Sequence, residues 1–261
     1  MSKFDRIFQN KKVFFLDLDG TVYLGNTLIP GARKFLDILQ EKGIAFYFLS
    51  NNSSRSKADY IRKLAALGIQ AGEERIILST DGVIEFLSGK KTKEIYLVGT
   101  RSMKDMFIKA GFVVESPSPG YVVLGFDTEL TYEKLKKASL FIQRGVELIA
   151  THPDLVCPTP EGFIPDTGAM LALFEKATNK KALKIFGKPN PEMVAHVMKR
   201  HAASSREVTM IGDRIYTDME LARRIACDFV LVLSGETTKE HVAGLEKPPS
   251  LVAQSLAELI P

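Results

Sequence analysis

The run Val13-Phe14-Phe15-Leu16-Asp17-Leu18-Asp19-Gly20-Thr21-Val22 constrains this chain more than any other stretch. Val13 to Leu16 are apolar without a polar interruption, which predicts a strand buried on both faces, as in a parallel sheet. Two carboxylates, Asp17 and Asp19, then sit where the strand runs out, and Gly20-Thr21 signals a turn. Like charges at the end of a buried strand are costly unless a positive group neutralises them. A divalent cation held by oxygen ligands is the natural candidate. A bare Asp-x-Asp is usually a strand ending in solvated acids; here the rest of the chain reverses those odds.

The pattern that follows is strand, helix, strand, helix, strand. Pro30-Gly31 opens a helix with Phe35, Leu36, Ile38 and Leu39 apolar, closed at Gly43. Ile44 to Leu49 is a second strand, and it runs into Ser50-Asn51-Asn52-Ser53-Ser54, whose backbone amides are suited to an anion ahead of the next helix. That helix spans Lys57 to Leu67, and Ile76-Ile77-Leu78 is a third strand. Such an order predicts a right-handed parallel α/β sheet. A fresh rhythm begins in the middle, with strands at Ile95–Val98, Tyr121–Leu124 and Leu148–Ala150, a long loop over Thr151–Gly168 and a helix to Thr178. The first rhythm resumes at Gly187-Lys188-Pro189-Asn190-Pro191. Strands at Val208–Ile211 and Phe229–Leu233 follow, ending in Gly212-Asp213-Arg214 and Ser234-Gly235, with a helix through Met219, Leu221 and Ile225 between them.

The expected fold is therefore α/β: a Rossmann-like parallel-sheet core with helices on both faces, interrupted by a smaller inserted α/β domain. The boundaries are residues 1–81 and 184–261 for the core and 82–183 for the insertion. Three core strands end in polar groups: Asp17 with Asp19, Ser50 with Asn51, and Asp213. The carboxyl ends of the strands form the ligand crevice of an open parallel sheet. With Lys188 from a nearby loop, acids, a hydroxyl, an amide and a cation converge on one edge, which is the mixture phosphoryl transfer requires.

These motifs resemble those of the haloacid dehalogenase superfamily. Asp17-Leu18-Asp19-Gly20-Thr21-Val22 is similar to its first motif, Ser50 to the second, Lys188 to the third, and Gly212-Asp213-Arg214-Ile215-Tyr216-Thr217-Asp218 to the fourth. All four stand in the family's order. Asp-Gly-Thr-Val-Tyr, Leu-Ser-Asn-Asn and Gly-Lys-Pro-Asn-Pro resemble the NagD-like, or 4-nitrophenylphosphatase-like, branch, whose cap domain matches the insertion.

The resemblance implies a Mg²⁺-dependent phosphatase for small phosphorylated metabolites, working through an aspartyl-phosphate. It implies Asp17 as nucleophile and metal ligand, and Asp19 as general acid and base that reaches the metal through its backbone carbonyl. Asp213 is implied as a metal ligand and Asp218 as an acid that orients the metal's waters. Ser50, Asn51 and Lys188 would bind the substrate phosphate. His152 and Asp154 are candidate substrate contacts in the cap. The chain departs from the branch at His152, where Asn is common, and at Asp166, ahead of Thr167-Gly168, where Gly is frequent. A phosphoryl transferase or mutase on the same core is the alternative, and a non-catalytic ligand-binding protein a remoter one.

Charge and composition narrow the partners. The 261 residues carry a formal charge of +4 with basic residues in pairs rather than a stripe, so no nucleic-acid partner is expected. Cys157 and Cys227 form no Cys-x-x-Cys and read as reduced thiols, Cys157 as packing or loop filler. Residues 1–6 show no leader pattern and no stretch approaches 18 apolar residues, so a cytoplasmic, membrane-free protein is expected, as monomer or homodimer.

Overall fold

The computed structural model describes residues 7–159 and 161–260; the amino-terminal residues read above for a leader lie outside them. Apart from short 3-10 turns, the elements begin β1 (Val13–Asp17), β2 (Tyr23–Leu24), β3 (Thr27–Leu28), α1 (Ala32–Glu41), β4 (Ala45–Ser50), α2 (Lys57–Ala66), β5 (Ile76–Leu78) and α3 (Ser79–Ser88). Next come β6 (Glu94–Val98), α4 (Arg101–Lys109), β7 (Val113–Val114), β8 (Tyr121–Leu124), α5 (Tyr132–Gln143), β9 (Glu147–Ala150), β10 (Val156–Thr159), β11 (Gly162–Pro165) and α6 (Thr167–Thr178). The last stretch holds β12 (Lys184–Ile185), α7 (Glu192–Arg200), β13 (Val208–Gly212), a π-helical turn (Ile215–Met219), α8 (Glu220–Arg224), β14 (Asp228–Val232), α9 (Lys239–Ala243) and β15 (Leu251–Ala253). Among the described residues no helix is long and apolar enough to cross a membrane.

The chain divides into two compact units. One comprises Met1–Ser50, Ile61–Ile77 and Lys188–Pro261; the other comprises Asn51–Tyr60 and Leu78–Gly187. The second thus runs over Leu78–Gly187 and also takes in a short segment directly after β4.

The first unit is built on a six-stranded sheet of order β15-β14-β13-β1-β4-β5, parallel throughout the pairings described for β1, β4, β13, β14 and β15. Its centre is β1, and Val13, Phe14, Phe15 and Leu16 are all fully buried. Alternate side chains of a strand point to opposite faces. Val13 and Phe15 accordingly pack with Met193, Val194 and Val197 of α7, while the Phe14 ring lies 5.9 Å from Phe35 of α1. Helices therefore cover both faces, and the uninterrupted apolar run is the consequence.

One buried cation braces this unit. Lys11 Nζ donates to the carbonyls of Arg206 at 2.7 Å and Val208 at 3.1 Å and to the Asp228 carboxylate. Burial works against the Asp228 charge, but the bond to Lys11 outweighs it and holds the carboxyl below its ordinary pKa. A depressed acid adds stability above its unfolded pKa and loses it as pH falls through the folded value. Asp228→Asn is therefore expected to lower the melting temperature modestly near neutrality. The difference from the parent should close below about pH 4; melting curves between these limits check it.

The second unit is organised on a parallel five-stranded sheet of order β12-β9-β8-β6-β7. Its central strands β6, β8 and β9 also bury both faces, with the alternation visible residue by residue. Tyr96, Val98, Val122, Leu124 and Ala150 pack with Ala138 and Ile142 of α5 and Phe174 of α6. Ile95, Leu97, Val123 and Ile149 pack with Val83 and Leu87 of α3 and with Met103 and Phe107 of α4.

The segment expected as a long loop, Thr151–Gly168, instead contains the antiparallel hairpin β10–β11, paired Val156↔Pro165, Cys157↔Ile164, Pro158↔Phe163 and Thr159↔Gly162. Its prolines hide it from pattern reading. Both strands of a two-stranded ribbon are edges, and an edge tolerates residues without an N–H.

Candidate active site

In the first unit three strands deliver polar groups at their carboxyl ends. β1 ends on Asp17, β4 on Ser50, and β13 on Gly212 just ahead of Asp213. Because β1 lies between β13 and β4 in parallel register, these ends share one sheet edge. Asp17, Asp213 and Asp218 are buried, and each offers a carboxylate oxygen within 4.8 Å of the others. Lys188, also buried, donates from Nζ to Asp17 Oδ1 and, at 2.7 Å, to Asp218 Oδ1.

Asp218 reaches this cluster by an irregular route. The sequence pattern places it at the start of an ordinary helix; instead it lies in the π-helical turn Ile215–Met219, where the Met219 N–H donates to the Arg214 carbonyl at 3.1 Å. Such single wide turns recur at functional sites. Here the turn brings the Asp218 carboxylate back to Lys188 and to the Arg214 N–H, 3.2 Å from Oδ2. Gly212 makes room for it: a Cβ there would fall 2.3 Å from Asp218 Oδ2.

Asp213 is held by the loop after β14. Glu236 N–H donates to Oδ2 at 2.7 Å, Thr237 N–H to the Asp213 carbonyl at 3.2 Å, and Ser234 Oγ to the Gly20 carbonyl at 2.6 Å. Pattern reading marks Ser234-Gly235 only as a strand end and misses this role. The available signal is position: a glycine-containing turn at the carboxyl end of another core strand belongs to the same crevice. A Cβ on Gly235 would lie 2.0 Å from Asp213 Oδ2. Gly235→Ala must displace one of them, and a misplacement of about 1 Å in an active site costs up to ~10²-fold in rate. We expect a loss of that order in kcat with the melting temperature little changed, checked by steady-state kinetics beside thermal unfolding.

Asp19 stands outside the carboxylate trio. Its Oδ2 accepts from Tyr23 Oη at 3.2 Å and its Oδ1 lies 3.9 Å from Lys63 Nζ, with the side chain 40% exposed. Ser50 is buried at the end of β4.

Asn51, His152 and Asp154 belong to the second unit, where they are buried together. Asn51 Nδ2 donates to Asp154 Oδ1 at 3.0 Å, and His152 bonds Asp166 Oδ1 through Nε2 and Thr151 Oγ1 through Nδ1, both at 2.8 Å. The two positions at which the chain departs from the branch pattern, His152 and Asp166, are thus hydrogen-bond partners. Asp166 has φ −117° and ψ −171°, extended backbone that needs no glycine, and caps α6 through the Thr167 N–H.

The electrostatics of the first-unit cluster favour a cation. Burial, with the charges of Asp17 and Asp218, raises the Asp213 pKa well above the ordinary carboxylate range. Burial and Asp17 push Asp218 up to about 6 against the pull of Lys188. Burial opposes the Lys188 charge too, but Asp17 and Asp218 outweigh it and lift its pKa. Three buried carboxylates face one buried ammonium, so the cluster carries two uncompensated charges when ionised. An all-oxygen donor set with that deficit fits a hard divalent ion.

Known proteins resemble this chain over most of its length. Residues 14–113 match the family described as haloacid dehalogenase-like hydrolase, and residues 185–259 the family described as HAD-hydrolase-like. The chain is similar to an acid sugar phosphatase of Staphylococcus aureus, 31% identical over 251 residues that cover 95% of this chain and 96% of that protein. Among solved structures it resembles a 4-nitrophenylphosphatase from Thermotoga maritima, with a TM-score of 0.93 and 40% identity over 97% of this chain and 98% of that one. It also resembles NagD from E. coli K-12, with a TM-score of 0.85 and 29% identity over 95% and 98% of the two chains. By these matches the chain belongs to the haloacid dehalogenase-like hydrolases and, within them, to the phosphatase branch of NagD and the 4-nitrophenylphosphatases.

Proposed function

We propose that this phosphatase is Mg²⁺-dependent and hydrolyses small phosphomonoesters in two displacements, with Asp17 as nucleophile. The observation that carries this reading is the buried meeting of Asp17, Asp213, Asp218 and Lys188 at the carboxyl edge of a parallel sheet. Asp17 and Asp213, with the backbone carbonyl of Asp19, would hold the ion, and Asp218 would orient its waters. The bound ion would supply charge neutralisation for the phosphoryl oxygens.

In the first displacement an Asp17 carboxylate oxygen bonds to phosphorus and the ester P–O bond breaks. The departing alcohol takes a proton from Asp19, whose carboxyl is the exposed one. In the second, water attacks the same phosphorus and gives its proton back to Asp19, and the bond from Asp17 to phosphorus breaks to release inorganic phosphate. Lys188 offsets the charge that Asp17 and the phosphoryl group bring together, which a buried ammonium does strongly. The Ser50 hydroxyl would donate to a phosphoryl oxygen. The acid sugar phosphatase and 4-nitrophenylphosphatase relatives support a small phosphate ester as substrate.

The test is phosphate release from 4-nitrophenyl phosphate and a panel of small sugar phosphates, with Mg²⁺ and with excess EDTA. Activity should require the metal and should release free phosphate with no acceptor present. A radiolabelled, hydroxylamine-sensitive phosphoprotein should be trapped on acid quench. Undiminished turnover in EDTA would sink the metal-dependent mechanism, and phosphate appearing only on an added acceptor would make the protein a transferase.

A further inference from the structure

The Asp213 carboxylate is oriented by neutral donors. Thr21 Oγ1 approaches Oδ1 at 3.5 Å, and the Glu236 N–H donates to Oδ2 at 2.7 Å. A loop amide fixes a carboxylate only as well as the loop itself is fixed. Glu236 provides that anchorage with its own side chain: Tyr216 Oη donates to Oε1 at 2.6 Å, and Arg214 Nε lies 3.1 Å from Oε2. Arg214 and Tyr216 follow Asp213 almost directly in the chain. A closed ring results, running from Asp213 through the main chain to Arg214 and Tyr216, across to the Glu236 side chain, and back from the Glu236 amide to Asp213.

The ring is mostly sheltered. Arg214 and Glu236 side chains are 13% and 21% exposed, so their ion pair is weakly screened compared with a surface pair. Energetically, a further carboxylate beside three buried ones is unfavourable by itself. Arg214 offsets that charge, and what the arrangement yields in return is a pinned loop.

We infer that Glu236 is a positioning residue for the divalent-cation site, acting through its latch on Arg214 and Tyr216 to hold Asp213 in one orientation. The inference rests on the reading of Asp213 as a ligand of that cation. Outer partners that orient metal ligands typically contribute about 10–100-fold in metal affinity.

The experiment is Mn²⁺ binding to the full chain, followed by the electron paramagnetic resonance signal of free Mn²⁺, with the metal-free melting temperature recorded for every variant. Glu236→Ala should weaken binding by about tenfold or more, with the melting temperature close to the parent's. Glu236→Gln keeps an acceptor for Tyr216 Oη but turns an NH2 toward Arg214, so it should lose less affinity than Glu236→Ala. Tyr216→Phe, which removes a single hydroxyl from a half-exposed ring, should give an intermediate loss and covers the case in which the alanine variant folds poorly. Parent-like binding by Glu236→Ala or, should that variant be unfolded, by Tyr216→Phe overturns the inference. Asp213→Asn separates the two levels: it should abolish binding, and if it binds like the parent the cation reading itself fails.

Discussion

Asp17→Asn is expected to abolish turnover while leaving the metal-free protein at least as stable as the parent. The two halves have one electrostatic origin. Asp17 is the carboxylate at the end of the central strand, and its side-chain oxygen is the nucleophile of the proposed first displacement. An amide at that position has no charged oxygen to attack phosphorus, so the loss should be several orders of magnitude in kcat. Yet Asp17 is also one of three buried carboxylates served by one ammonium. Its charge raises the pKa of both Asp213 and Asp218. Removing it relieves that repulsion, and Lys188 keeps its bond to Asp218. An active-site residue that is costly to the fold is the expected sign of a stability–function trade-off. Steady-state assays and urea unfolding without metal check both parts; a variant that keeps turnover would remove Asp17 from the nucleophile's place.

Lys188→Ala should fail in the opposite sense, losing activity and stability together. Lys188 is the buried cation that bonds both Asp17 and Asp218. Deleting one partner of a buried ion pair leaves uncompensated charge behind and typically costs about 3–5 kcal/mol. Here the carboxylates left behind would be three, so we expect the upper part of that range at neutral pH in metal-free buffer. Added Mg²⁺ should recover part of the deficit, because a ligand bound only by the native state stabilises it by mass action. Activity should remain low with metal present, since the cation that offsets Asp17 and the phosphoryl group is missing. Urea titrations with and without Mg²⁺ separate these effects, and a stability unchanged from the parent would contradict the ion-pair account. The two variants form a pair: one removes charge from an overloaded cluster, the other removes its protein counter-charge.

The residues bracketing the cluster show why some of this was legible beforehand. β1, β4 and β13 are buried on both faces of a parallel sheet, and that environment demands continuous apolar runs. Such runs are visible in a window of a few residues, and a carboxylate directly after one marks the strand end. Asp17, Ser50 and Asp213 are therefore readable in one dimension. So is Lys188, once a Gly-Lys-Pro turn ahead of a helix is seen as part of the same edge.

Tertiary structure alone decided the rest. The bond from Lys188 to Asp17 joins residues 171 apart in the chain, and no local pattern encodes it. The aim of Asp218 depends on a π-helical turn that sequence periodicity reads as ordinary helix. The pairing of His152 with Asp166 became visible only when the loop after β9 met the start of α6. The hairpin β10–β11 was masked by prolines that only an edge strand accommodates. The grip of Glu236 on Asp213 comes from a polar loop with no hydrophobic period at all. Local composition and periodicity determine which segments become buried strands and helices, because burial repeats along the chain. Which polar groups then share a dry space follows from how distant strands are ordered in the sheet, and the low dielectric of that space is what gives Asp17, Asp213, Asp218 and Lys188 their chemistry.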